Sequence, residues 1–354
     1  MDREIEFLNA PSAEQRIANL KTLLAEEKEK PVVLPQYANN HIHTTFSFSP
    51  YSPTAAVWAA RRAGLPTAGI MDHDSISGAK EFRQAAALAG VGSTCGVEMR
   101  TDWHDTPFAA RRLNNPDQIG VAYMTFHSIR ERYFEQMREF IAPYRELRNQ
   151  RNIKMLKNIE DATGVHLDYE KDVLPLSEYA NGGGVTERHV LFALAKKVLP
   201  DGTEEEQYKL LGKYKAGLIH EVYIDPTDEL VPLDKAIAFS KDIDAILCYA
   251  YLGDVTNSVT GDKKADTFED AYLEELVAFI AKKEIPAITY MPSRNTAKQM
   301  DDLMALCDKY SRKQISGEDI NSPSQSFICQ QLAEPKFAHL VDAAWELVNR
   351  EKEG

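Results

Sequence analysis

Along most of the chain, short runs of β-branched or small apolar residues alternate with longer stretches whose apolar positions recur at helical spacing. The runs TAGIM (67–71), VAYMTF (121–126), IDAILCY (243–249) and AITYM (287–291) predict strands. The stretches Pro53–Ala63, Ser77–Leu88, Phe268–Lys283 and Ala297–Tyr310 predict the helices between them. Crossovers of helical length imply parallel pairing, with both faces of the sheet covered. About seven such units close most economically into a β/α barrel, and a doubly wound open sheet is the alternative.

Two regions depart from that rhythm. Residues 12–30 predict an amphipathic helix, with Ser12 and Gln15 in a capping-box pattern and Ile17, Leu20, Leu23 and Leu24 on one face. Residues 128–215 are mostly helical, rich in Arg and Lys, and interrupted by three glycines at 182–184 that suggest a hinge. The expected organisation is a helical extension (1–30), a first part of the barrel (31–127), a helical insertion on one rim (128–215) and a second part of the barrel (216–354).

Composition narrows the function. The chain has 354 residues, 44% hydrophobic and 27% charged, which suits a globular protein with a large core. A net charge of −13 disfavours a duplex nucleic-acid partner. A small anionic substrate stays possible, because a bound metal reverses the local field. Cys95, Cys248, Cys307 and Cys329 are scattered without a CxxC spacing and are expected as reduced, buried thiols. The opening residues lack an apolar signal region and no stretch has the length of a membrane span, so a cytoplasmic location is expected. Nothing in the sequence sets an oligomeric state.

The chemistry concentrates at a few points. In NNHIHTTFSFSP (39–50), His41 and His43 are two apart, so on a strand both imidazoles face one side and can converge on a divalent cation. MDHDS (71–75) follows an apolar strand and precedes a helix, where barrel side chains reach the active-site mouth. Crowding Asp72, His73 and Asp74 there is costly without a cation. Glu98 ends a third short apolar segment, CGVE. Together these supply mixed nitrogen and oxygen donors that suit Zn, Mn or Fe. Neither a Gly-rich phosphate loop nor a GxSxG elbow occurs in a suitable context.

The run HIHTTFSFSPYSPTAAVWAARRAGLPTAGIMDHDSISG (41–78) resembles the opening of PHP (polymerase and histidinol phosphatase) domain phosphoesterases, and the likeness is dense over 39–98. The resemblance implies a distorted (β/α)7 barrel carrying a helical insertion, with a centre of up to three divalent ions at the strand ends. It also implies phosphate-ester hydrolysis. His127 resembles the histidine that follows the Glu strand in that family, and His189 resembles one that some members carry in an insertion. SGEDINSP (316–323) resembles the closing Gly-Ser-Asp-x-His, which puts Asp319 in the ligand position. Three positions depart from the pattern: Asn321 stands for the closing His, Tyr251 for a strand-end His, and Phe48 for an Asp.

The expected ligands are therefore His41, His43, His73, Glu98 and Asp319, with His127 a further one and the Asn321 amide a weaker donor. Asp72 and Asp74 are expected to orient the histidines or to take a proton from water. Arg294, on the loop after AITYM, is expected to clamp a phosphate, and His189 to assist substrate or leaving group. Arg188 is a similar candidate, whereas His104, His166, His220 and His339 read as structural or solvated. The Arg/Lys run at 130–157 reads as a solvated helix face or as an electropositive lid. The expected activity is hydrolysis of a small phosphorylated substrate using one to three ions of Mn, Zn or Fe. An amidohydrolase-like reaction on another bond and a non-catalytic metal-binding module are the rivals.

Overall fold

The computed structural model describes residues 2–115, 117–254 and 268–353. In chain order the elements are α1 (Arg3–Leu8), α2 (Ala13–Glu26), β1 (Asn39–Ile42), α3 (Pro53–Arg62), β2 (Thr67–His73), α4 (Ala79–Ala89), β3 (Gly92–Asp102) and β4 (Val121–His127). The helices α5 (Phe134–Thr163), α6 (Glu187–Val198), α7 (Glu204–Ala216) and α8 (Ile219–Val222) follow without an intervening strand. The remainder is β5 (Val231–Pro232), α9 (Leu233–Asp242), β6 (Ile246–Ala250), α10 (Leu273–Lys282), β7 (Ala287–Tyr290), α11 (Ala297–Lys309), β8 (Lys313–Ser316) and α12 (Ala338–Lys352).

One curled sheet carries the strands in the order β1-β2-β3-β4-β6-β7-β8, with the short β5 on the end of β3. Its two ends approach each other. His43 N donates to Ile320 O (3.1 Å) and Ile320 N donates to His41 O (3.2 Å), so the segment after β8 is stitched to β1. The Asn40 side chain adds a bond to Ser316 O (2.9 Å). The first three strands are parallel, as are the last three, but β4 is antiparallel to both neighbours. The expectation of parallel pairing throughout is corrected at that strand. The reason is the connection: the described residues of 103–120 contain no helix to carry the chain back across a sheet face. Instead Trp103 N donates to Gly120 O (2.9 Å), closing the loop where β3 ends and β4 begins.

The local chemistry explains the framing helices. Ser52 caps α3 by accepting from Ala55 N, with Pro53 in the first turn, and α4 ends at Gly90 with φ 70°. Ser12 caps α2, but the Gln15 side chain turns to Asn19 (2.7 Å), so only half of the capping box forms. Arg16 then anchors this extension through a buried two-pronged pair with Glu81 (2.8 and 2.6 Å). Among the described residues no helix is long and apolar enough to cross a membrane.

The α5–α8 region builds a second hydrophobic cluster, to which the barrel side contributes Phe48. The glycines at 182–184 act as a close contact rather than a hinge. Gly184 N donates to Phe46 O (2.7 Å), Ser75 Oγ donates to Gly182 O (2.8 Å), and a Cβ on Gly182 would lie 2.3 Å from Ser77 Oγ. With φ at 91°, Gly182 is also in a backbone region that other residues avoid.

Candidate metal centre

The centre is assembled by four strands and the segment that follows the last. His41 and His43 lie on and just after β1, and their rings are 5.1 Å apart. His73 closes β2 and is in direct register with Glu98 on β3. Glu98 is mid-strand, since β3 continues to Asp102, so it reaches the centre from the sheet face and not from a strand end. His127 closes β4, and Asp319 lies in the segment stitched to β1. One Glu98 oxygen is 3.4 Å from His41 Nε2, 3.8 Å from His43 Nε2 and 3.2 Å from His73 Nδ1. Asp319 Oδ1 lies 3.1 Å from His43 Nε2.

These groups attract positive charge. Burial pushes Glu98 up, but the surrounding imidazoles outweigh it and hold its carboxyl at about 2. Burial acts likewise on Asp319, whose pKa is nonetheless depressed by His43 and His41. Burial lowers His41, yet Glu98 and Asp319 raise it overall. His127 is driven down to about 3 by burial and by His41, so it stays neutral, and its buried Nε2 has no hydrogen-bond partner. A buried nitrogen left that way costs about 1–3 kcal/mol. A divalent cation fits this donor set. His41, His43 and Asp319 form one group and His43, His73 and Glu98 another, with ligand atoms within 4.8 Å of one another in each.

The model of the PHP domain matches residues 39–285, which is more than half of the chain. The chain belongs to the PHP domain family. Over 187 residues it is 26% identical to a 5'-3' exoribonuclease of Haemophilus influenzae, spanning 52% of this chain and about 60% of that relative's length. Its fold resembles a crystal structure from Bifidobacterium adolescentis named a "putative metal-dependent phosphoesterase", with TM-score 0.62, 18% identity, and 91% of this chain and 98% of that one covered. It also resembles an amidohydrolase of Chromobacterium violaceum solved with bound sulfate and no metal, with TM-score 0.60, 15% identity, and 87% and 96% covered.

Within this PHP centre the other expected residues fall in different places. Asp72 is buried behind the ligands, accepting from Thr44 N, Thr44 Oγ1 and Ser47 Oγ (2.6 Å each). Ser47 Oγ in turn lies 3.4 Å from His43 Nδ1. Asp74, at φ 49°, turns away from the ligands to Arg148 on α5 (2.5 Å). Arg294 lines the cavity above the ligands. His189 does not: its Nδ1 accepts from Thr186 N (2.9 Å) and its ring meets Phe48 edge-on at 5.0 Å. Asn321 sits beside the ligand set. Its Oδ1 accepts from Arg188 (2.8 Å) and its amide donates to Asp319 (2.5 Å), so the oxygen that was to serve as a donor is engaged elsewhere. Tyr251 lines the cavity, with its hydroxyl on Asp270 (2.5 Å).

The cavity has a volume of about 830 Å³, with His41, His73, Glu98 and Asp319 on its floor. Arg100, Arg112, Arg188, Lys215 and Arg294 line it, against five carboxylates that include Glu98 and Asp319 of the candidate donor set. Sequence reasoning missed Arg100, which donates to Tyr123 Oη (3.0 Å) on the paired strand. Its signal was present, since Arg100 is two residues after Glu98 and so shares its face of β3. Arg148 was read only as part of a basic helix face.

Proposed function

We propose that this PHP protein is a metal-dependent phosphoesterase that hydrolyses a small phosphorylated substrate. The observation that carries the reading is the buried donor cluster at the floor of a cavity whose rim bears five cationic side chains. His41, His43, His73, Glu98, His127 and Asp319 would hold the ions, of Mn, Zn or Fe type. Divalent ions in such a site supply hydroxide at neutral pH and offset charge on a phosphoryl group.

The chain's own residues do the positioning. Ser47 gives its proton to Asp72, so its oxygen is left facing His43 Nδ1 at 3.4 Å, where it would orient that ring toward the donor cluster. Asp72 thus acts through Ser47 on a ligand histidine. Asp74 acts on the neighbouring His73 by fixing the turn to α5 through Arg148. Arg294 offers a planar fork for phosphate oxygens. His189 caps its own helix and thereby holds Arg188 at the cavity wall. The four described cysteines are free and buried, which suits a reducing cytoplasmic setting.

The test is an assay of protein reconstituted with Mn, Zn or Fe against phosphate esters, including a short oligoribonucleotide, alongside amides and lactones. Turnover of a phosphate ester that is abolished by chelation and restored by metal is expected. Turnover of amides or lactones alone would favour an amidohydrolase-like reaction, and stoichiometric metal with no turnover would favour a binding module.

A further inference from the structure

The resemblance allows up to three cations, and the surroundings of His73 and Asn321 bear on the third. An additional ion beside His73 needs donors besides Glu98. Phe48 points instead into the second hydrophobic cluster, 5.0 Å from the His189 ring, 5.8 Å from Phe192 and 5.9 Å from Tyr208. The carboxylates nearest that side are engaged by arginines: Asp74 by Arg148, and Glu187 by both Arg148 (3.0 Å) and Arg100 (3.2 Å). On the other flank, the Asn321 carbonyl oxygen accepts from Arg188 and its amide nitrogen donates to Asp319. Among the described residues, the two donor sets around His43 each bring three groups together without drawing on Asn321 or Phe48.

We infer that the centre is complete with two divalent ions, and that the Arg188 guanidinium stands in for a third cation and binds the anionic group of the substrate directly. Arg188 reaches the ligand set through an unbroken chain: Arg188 to Asn321 Oδ1 (2.8 Å), Asn321 to Asp319 Oδ1 (2.5 Å), and Asp319 Oδ1 to His43 Nε2 (3.1 Å). It lines the same cavity as His41 and Asp319, and it projects from α6 of the helical region rather than from the barrel. A fixed guanidinium supplies positive charge and a forked donor without needing ligands of its own. The anion-binding role rests on the phosphoesterase reading; the two-ion count does not.

Two measurements on the full chain decide the matter. Elemental analysis after saturation with Mn and desalting should give two ions per chain, and a ratio of three would overturn the inference. Calorimetric titration of the Mn-loaded protein with inorganic phosphate should show Arg188→Gln weakening binding at least about tenfold, with Arg188→Lys in between. The metal ratio of both variants should stay at two, which also reports that they are folded. Equal phosphate affinity in wild type and Arg188→Gln would overturn Arg188's role while leaving the phosphoesterase reading standing. A loaded wild type that neither binds phosphate nor turns over any ester would overturn that reading, and the anion role with it.

Discussion

His73 and Asp74 are neighbours in sequence, yet they belong to two buried polar clusters of opposite character. His73 faces the metal centre, where four imidazoles and two carboxylates gather and Arg188 reaches them through Asn321. Asp74 faces the seam between barrel and helical region, where Arg100, Arg148 and Arg151 meet Asp74, Glu187 and Glu229. Three guanidinium groups balance three carboxylates there, and Arg151 grips Glu229 with two bonds (2.7 and 3.0 Å). The seam balances its own charge and holds elements together, although Arg100 and Glu187 also reach the cavity wall. The centre leaves the buried His127 nitrogen without a hydrogen-bond partner, and its donor set is one that divalent ions would complete. Burial alone does not mark a binding site; an unbalanced donor set does.

That contrast can be broken at three points. The largest effect is expected from Glu98→Gln, which removes the carboxylate shared by three histidines. Phosphate-ester turnover should fall by about three orders of magnitude or more. Metal content should fall with it, and kcat/KM measured beside elemental analysis would show whether the two decline together. Arg148→Met should instead leave the buried Asp74 without its cationic partner and Glu187 with Arg100 and Arg151, at a cost of about 3–5 kcal/mol of stability in urea unfolding. A neutral result would mean that the seam is not internally balanced.

The smallest effect concerns pH. Burial first, and then Arg148, hold His189 at about 3 against an ordinary value of 6.5. Its pKa is depressed on folding, so the stability present above 6.5 is lost as pH falls toward 3, because the unfolded chain takes up a proton that the folded chain refuses. Between pH 6.5 and 5 the loss should be about 2 kcal/mol in metal-free protein. His189→Gln keeps a side chain suited to the third helical position and removes the titration. Its stability should therefore depend less steeply on pH over that interval, and parallel slopes in denaturant titrations would sink the assignment.

How much of this was legible beforehand follows from the range over which each signal acts. The strand–helix alternation, the HxH and DHD spacings and the position of Glu98 are local, because side-chain period and strand order fix which face each residue takes. They were enough to indicate a PHP-like metal barrel. The direction of β4 was not, since an apolar run reads the same in either orientation and only the helix-free connection decides it. Nor could the sequence say that basic residues on α5 would become internal counter-ions instead of a solvated face or a lid.

The sequence by itself determined the type of ligand and the strands that carry most of them. Only the tertiary structure decided which charges were already spoken for, because Asp74 meets Arg148 and Asn321 meets Arg188 across long stretches of chain that no local periodicity spans. Coulombic partnership depends on distance in space and on burial, and neither is written in the spacing of residues along the chain.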